Sequence, residues 1–130
     1  MRVLQPPGWP RPKGYANGIA AVGRQIFLSG QVGWNAQGGF DALDFVGQTR
    51  QALRNVVAVL AEAGARPEHV VRMTWYVLDK REYLAAGREI GAVYREIFGR
   101  HYPAMTAVEV AALIEDQARL EIEVTAVLPE

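Results

Sequence analysis

Ten consecutive residues, His69 to Leu78 (HVVRMTWYVL), constrain this chain more than any other stretch. They are β-branched and aromatic, which reads as a strand. Strict alternation sets Val71, Met73, Trp75 and Val77 on one face and Val70, Tyr76 and Leu78 on the other. A strand that is apolar on both faces needs cover on both. Two amphipathic helices flank it in sequence. The first spans about Asp44 to Ala63, with Val46, Leu53, Val56, Val57 and Leu60 on one stripe, Asp44 as cap, and Gly64 and Pro67 beyond its end. The second opens at Asp79 and Glu82, which have capping-box spacing, and runs to about Phe98 before Gly99. Its stripe is Tyr83, Gly87, Ile90, Tyr94 and Ile97. Gly87 and Gly91 cost helix propensity, and the expected return is close approach of this helix to a sheet.

Four further strands are expected. Ile19 to Val22 and Gln25 to Val32 lie around Gly23-Arg24, and Met105 to Leu113 and Arg119 to Leu128 lie around a polar turn, Glu115-Asp116-Gln117. Asn35 to Phe40 is a loop by composition. The order is β-β-α-β-α-β-β, an α+β arrangement. Two helices cover one sheet face only, so the helix-free face is expected to pack on another copy of the chain, because large exposed apolar patches are uncommon on monomers.

A chain of 130 residues is expected to form one domain over residues 1–130. Met1 to Lys13, with four of the seven prolines, reads as an extended lead-in rather than a signal peptide. No stretch supplies the roughly 20 apolar residues of a membrane span, so a soluble, cytoplasmic domain is expected. Fourteen Lys and Arg balance fourteen Asp and Glu. That balance argues against a binder of nucleic acid through its phosphates and against a polybasic membrane anchor. The absence of cysteine removes disulfides, thiolate nucleophiles and Cys-rich zinc sites. His69 and His101 are too far apart for a metal motif, and no cofactor is expected. Chemistry is left to carboxylates, arginines, hydroxyls, backbone groups and two imidazoles.

The last two strands concentrate carboxylates. Glu121 and Glu123 share a face opposite Leu120, Ile122 and Val124, and Glu109 sits between Val108 and Val110. A carboxylate in a half-buried strand is costly unless paired, and such a group suits general acid–base work. The competing role is an ion pair with Arg72 or Arg119, or a solvated edge. Ser29-Gly30-Gln31 follows an apolar run, where glycine lets a ligand approach the backbone or marks a bulge. Ser29 lacks the G-x-S-x-G context of a hydrolase nucleophile. Tyr15 offers a hydroxyl or a stacking ring, and His101 precedes a strand beside these residues. Trp9, Trp34 and Trp75 are too scattered for a base-stacking platform.

Taken together, Tyr15-Ala16-Asn17-Gly18, Ser29-Gly30-Gln31, Gln48 to Gly64, Val70 to Leu78, Pro103-Ala104-x-x-x-Val108-Glu109-Val110-Ala111-x-Leu113 and Glu121-Ile122-Glu123 resemble the RidA/YjgF family, also labelled endoribonuclease L-PSP or translation-inhibitor proteins. The resemblance runs from about Lys13 to Leu128. It implies a chorismate-mutase-like α+β fold with two helices on one face of a mixed, mostly antiparallel sheet. It also implies a homotrimer whose sheets form a central barrel, with ligand clefts between subunits.

Well-known members of that family hydrolyse reactive enamines and imines such as 2-aminoacrylate, releasing ammonia and a keto acid. In them the Pro-Ala pair is followed by an arginine that clamps the substrate carboxylate. Met105 stands at that position here, and a thioether offers no charged fork. The family's site glutamate corresponds to Glu121, its tyrosine to Tyr15 and its Ser-Gly to Ser29 and Gly30. An asparagine that the family often carries corresponds to Gly91. The resemblance thus implies a hydrolytic deaminase of a small enamine or imine metabolite, with Glu121 as base or water-positioner. Backbone N–H groups near Gly30 would orient the substrate, and Arg72, Arg100, Arg119 or His101 would replace the missing cation. Some arginine-lacking relatives are linked to 2-aminomuconate-type compounds. The alternative is a non-catalytic trimer that binds a small metabolite in the same clefts. A ribonuclease is a distant third, since no basic stripe exists.

Overall fold

The computed structural model describes residues 1–130. Strand β1 (Arg2–Leu4) pairs antiparallel with β2 (Gly18–Ala20) in a small sheet of its own. The main sheet holds β3 (Arg24–Gln31), β4 (Val70–Val77), β5 (Ala104–Glu109) and β6 (Leu120–Leu128) in the order β3-β6-β4-β5. Helix α1 (Phe45–Glu62) connects β3 to β4 through a short 3₁₀ turn at Pro67–His69. Two helices, α2 (Lys80–Ala85) and α3 (Gly87–Phe98), carry the chain from β4 to β5. That crossover makes β4 and β5 parallel, whereas β6 is antiparallel to both β3 and β4. The fold is α+β with helices against one face of a mixed sheet.

The first helix forms where its cap and stripe place it. The Asp44 carboxylate accepts from the Gly47 N–H at 3.0 Å, and the chain leaves the helix through Gly64 at φ +71°. Leu53, Val56 and Leu60 are fully buried against Met73, Trp75, Leu120, Ile122 and Val124. Each such aliphatic side chain contributes about 1.5–3 kcal/mol by leaving water.

Four local expectations change. First, a register shift between Val70 and Arg72 breaks the alternation of β4. Val70 therefore joins Met73, Trp75 and Val77 in the core, and Arg72, Thr74 and Tyr76 form the other face. That face is mixed: beside them lie Thr106, Glu121, Glu123, Thr125 and the exposed Phe27. The bulge accounts for the adjacent valines at the start of β4. Secondly, the second helix is interrupted at Ala86 and resumes at Gly87. Asp79 caps α2 through the Arg81 N–H, but Glu82 turns away to Arg119 instead of closing a capping box. Thirdly, Gly87 and Gly91 do not mark close packing on the sheet. A Cβ at Gly87 would meet no atom within 4 Å, and one at Gly91 would meet only the Arg95 guanidinium, at 3.3 Å. Fourthly, the strand expected over Met105 to Leu113 ends at Glu109, and β4 lies between it and β6. No helix is long and apolar enough to cross a membrane.

Candidate active site

Residues that carry chemistry gather in two places, one on each face of the sheet. On the helix-free face β3 bulges at Ser29-Gly30, where its pairing with β6 shifts register. The bulge brings Gly30 against Glu121: a Cβ at Gly30 would fall on the carboxylate, 2.5 Å from its Cδ. Glycine is thus required for the Glu121 side chain to lie over that backbone. Ser29 is exposed beside it, and its carbonyl accepts from the Gln31 side-chain amide at 3.1 Å.

The three strand carboxylates separate by their partners. Glu109 Oε1 accepts from the Lys80 N–H at 2.9 Å and so caps the start of α2. Glu123 Oε1 accepts from the Tyr76 hydroxyl at 3.2 Å. The Glu123 carboxylate pushes the Tyr76 phenol above its ordinary value, with burial adding to the rise and Arg72 opposing it. Glu121 has neither a hydrogen bond nor an ion pair, since Arg119 is held by Glu82 at 2.8 Å and Arg72 forms no ion pair. It is half-buried and unengaged.

On the helix side, the edge of β4 and β5 and the α2–α3 pair enclose a cavity of about 510 Å³. Met105 and Ala107 form its floor with Trp75, Ile90 and Tyr94 behind, and Tyr15, Lys13 and Arg95 border it. Tyr15 reaches this place because the Ala16 N–H donates to the Pro103 carbonyl at 2.9 Å, which lays residues 15–17 along the free edge of β5. A smaller hollow on the other side of that edge is lined by Tyr15, Asn17, Arg72, Met105 and Thr106.

The chain therefore brings Tyr15 and Met105 together at the β5 edge and Gly30 and Glu121 together at the β3 bulge, on opposite faces; Arg72 shares the face of Glu121 and borders Met105 at the edge. His101 lines neither the hollows beside Met105 nor the β3 bulge, but a third hollow that Tyr15 also borders. Its Nε2 lies 2.6 Å from the Val70 carbonyl, and its own carbonyl accepts from the Tyr94 hydroxyl, so it ties β4 to α3. Arg100 is exposed in that same hollow, with Arg11 and Tyr15. Of the four cations weighed for the position of the family arginine, only Arg72 borders Met105. Arg95 and Lys13 were not singled out from the sequence. The available signal for Arg95 was its place one helical turn after Gly91, where a missing side chain leaves it room. No three His, Cys, Asp or Glu side chains cluster to hold a metal.

The family model for Endoribonuclease L-PSP matches residues 10–128. The chain belongs to that family. It is 34% identical over 116 residues to the 2-iminobutanoate/2-iminopropanoate deaminase of Escherichia coli, covering 87% of this chain and 86% of that protein. Among solved structures, the Rid-family protein YyfB of Yersinia pestis superposes with a TM-score of 0.83 at 35% identity over 98% of both chains. Escherichia coli TdcF, solved with bound serine, gives 0.69 at 32% identity, over 98% of this chain and 99% of that one. Imine deamination is thus an activity represented within the family. The motif residues that suggested the family in sequence lie at the β3 bulge, along α1 and β4, at the β5 edge with the segment beside it, and in the first half of β6.

Proposed function

We propose that this protein is a hydrolytic deaminase of a carboxylate-bearing enamine or imine, working in clefts between subunits of a homotrimer. The observation that carries the proposal is the unengaged Glu121 carboxylate lying over Gly30, alone among the strand carboxylates in having no partner. Family membership with an imine deaminase supports the reaction class. In the mechanism, an enamine first tautomerises to its imine. Glu121 takes a proton from water as the water oxygen bonds to the imine carbon. Glu121 returns that proton to the nitrogen, giving the carbinolamine; the hydroxyl proton then passes through Glu121 to the nitrogen as the C=O bond forms and the C–N bond breaks, and ammonia leaves with a keto acid as co-product. Backbone N–H groups at the Ser29-Gly30 bulge orient the substrate. Its carboxylate is held by a cation beside residue 105 rather than at it.

The test is ammonia release from freshly generated 2-aminoacrylate and from 2-aminomuconate, with wild type beside Glu121→Gln. Release that falls at least a hundredfold in the variant supports the assignment, since a positioned general base is worth about 10²–10⁴-fold. No release from either compound leaves the metabolite-binding alternative, which an apolar Met105 would also suit. Release unaffected by the substitution removes Glu121 from the mechanism.

A further inference from the structure

The helix-side cavity has features that the proposed chemistry does not need. A three- or four-carbon imino acid requires little room, yet this space of about 510 Å³ falls in the roughly 300–1,000 Å³ range of pockets that bury drug-sized ligands. Two glycines on adjacent turns of α3 leave it open. Neither Gly87 nor Gly91 has the positive φ that demands glycine, and neither packs against backbone. Gly91, inside the helix, costs about 1 kcal/mol of propensity relative to alanine with no return in packing, and Gly87 opens the helix with empty space where a side chain would stand.

The walls are aromatic. Trp75 and Tyr83 meet edge to face with centroids 6.1 Å apart, and Tyr94 and Tyr102 stack at 5.4 Å and 14°. Trp75 is almost wholly buried, and its indole N–H has no acceptor in the chain. A buried donor left unpaired costs about 1–3 kcal/mol unless something else accepts from it. The charge of the cavity has one sign: Lys13 and Arg95 line it, no carboxylate does, and neither cation forms an ion pair.

We infer that this cavity receives a ring-bearing carboxylate, and that the preferred substrate is the imine of an aromatic amino acid, its ring among Trp75, Tyr83, Tyr94 and Tyr102 and its carboxylate at Arg95. The substrate assignment rests on the deaminase proposal; the ligand class rests on the cavity alone. Rings of this kind prefer edge-to-face and offset contacts, which the two aromatic pairs present. Arg95 supplies the planar fork that Met105 lacks, and it does so from the helix rather than the strand. Gly87 and Gly91 then have a role as the space the ring occupies.

The experiment has two readouts. Calorimetry compares phenylpyruvate, pyruvate and the carboxylate-free phenylacetone. Rate measurements compare the imines of phenylalanine and alanine, generated in place by an amino acid oxidase. Phenylpyruvate is expected to bind at least tenfold more tightly than either comparison compound, and the phenylalanine imine to show at least a tenfold higher kcat/KM. Gly87→Leu, which fills the open space without meeting another atom at its Cβ, should weaken phenylpyruvate binding at least tenfold with no loss of thermal midpoint. Arg95→Gln should erase the advantage of phenylpyruvate over phenylacetone. Imine hydrolysis without size preference, together with Gly87→Leu binding phenylpyruvate as wild type does, overturns the cavity assignment and leaves the deaminase intact. Phenylpyruvate binding that Gly87→Leu abolishes, with neither imine hydrolysed, keeps the ligand class and sinks the substrate assignment along with the deaminase.

Discussion

Met105 and Glu121 project from opposite faces of one sheet: Met105 sits in register with the buried Met73, and Glu121 with Tyr76 on the helix-free side. Strand β4 separates their two strands. A single substrate of a few carbons cannot touch both groups in one chain, so a site that uses both draws them from two copies. Two substitutions test this. Glu121→Gln removes the base, and Met105→Asp sets a carboxylate where the substrate's own must approach. Each variant alone should lose at least a hundredfold in imine hydrolysis. Co-refolded in equal amounts, they should regain a readily measurable share of wild-type activity, because some clefts receive an intact face from each. A mixture that demonstrably exchanges subunits and stays inactive would show that each chain holds its own complete site.

Gly30 makes a sharper prediction about the base. A methyl group there would land on the Glu121 carboxylate, which can yield because it is the free end of a flexible side chain. Gly30→Ala should therefore fold with a thermal midpoint close to wild type. Its kcat should fall at least tenfold, approaching the loss in Glu121→Gln, with a smaller change in KM. A kcat equal to wild type would mean that the position of the carboxylate over Gly30 is immaterial to turnover.

These relationships differ in how far the sequence discloses them. Helix α1 was legible because Asp44, the stripe from Val46 to Leu60 and Gly64 are all local signals. The face of β4 was misread at its start because alternation assumes an unbroken register, and one extra residue at the bulge exchanges the faces for everything before it. The final strands were recognisable, but their separation by β4 depends on a crossover that composition does not encode. Three strand carboxylates stood out in the sequence. Which one is unengaged depended on partners 29 and 47 residues away, Lys80 for Glu109 and Tyr76 for Glu123. Arg95 looked like any exposed helix residue until the space left by Gly91 gave it a cavity to enter.

Gln48 predicts where stability is concentrated. It is fully buried on α1, where its Nε2 donates to the Ala42 carbonyl at 3.2 Å and to the Gln117 carbonyl at 2.8 Å. Its Oε1 accepts from the Arg119 N–H at 2.8 Å. One side chain thus fixes both the approach to α1 and the turn that leads into β6. Gln48→Leu keeps the apolar volume and strands three backbone groups. With about 1–3 kcal/mol for each unpaired buried group, partly relieved by water, a loss of about 3 kcal/mol is expected from urea unfolding. A loss below about 1 kcal/mol would mean that the turn finds other partners without it.

Tyr94 predicts a loss of stability in alkali. Burial holds its phenol well above the ordinary value of 10.0, with the neighbouring Tyr102 adding to the rise. Tyr83 is raised by burial in the same direction. A raised value in the folded state means that the folded chain keeps a proton the unfolded chain releases. The stability contributed is complete below about pH 10 and declines as pH rises beyond it, by at most about 1.4 kcal/mol per pH unit for one such group. Urea midpoints at pH 9, 10 and 11 should therefore be similar across the first step and lower across the second. Tyr94→Phe should be less stable at pH 9, having lost its hydrogen bond to the His101 carbonyl, yet should show a shallower decline between pH 10 and 11. An identical decline in wild type and Tyr94→Phe would assign the alkaline transition to other groups.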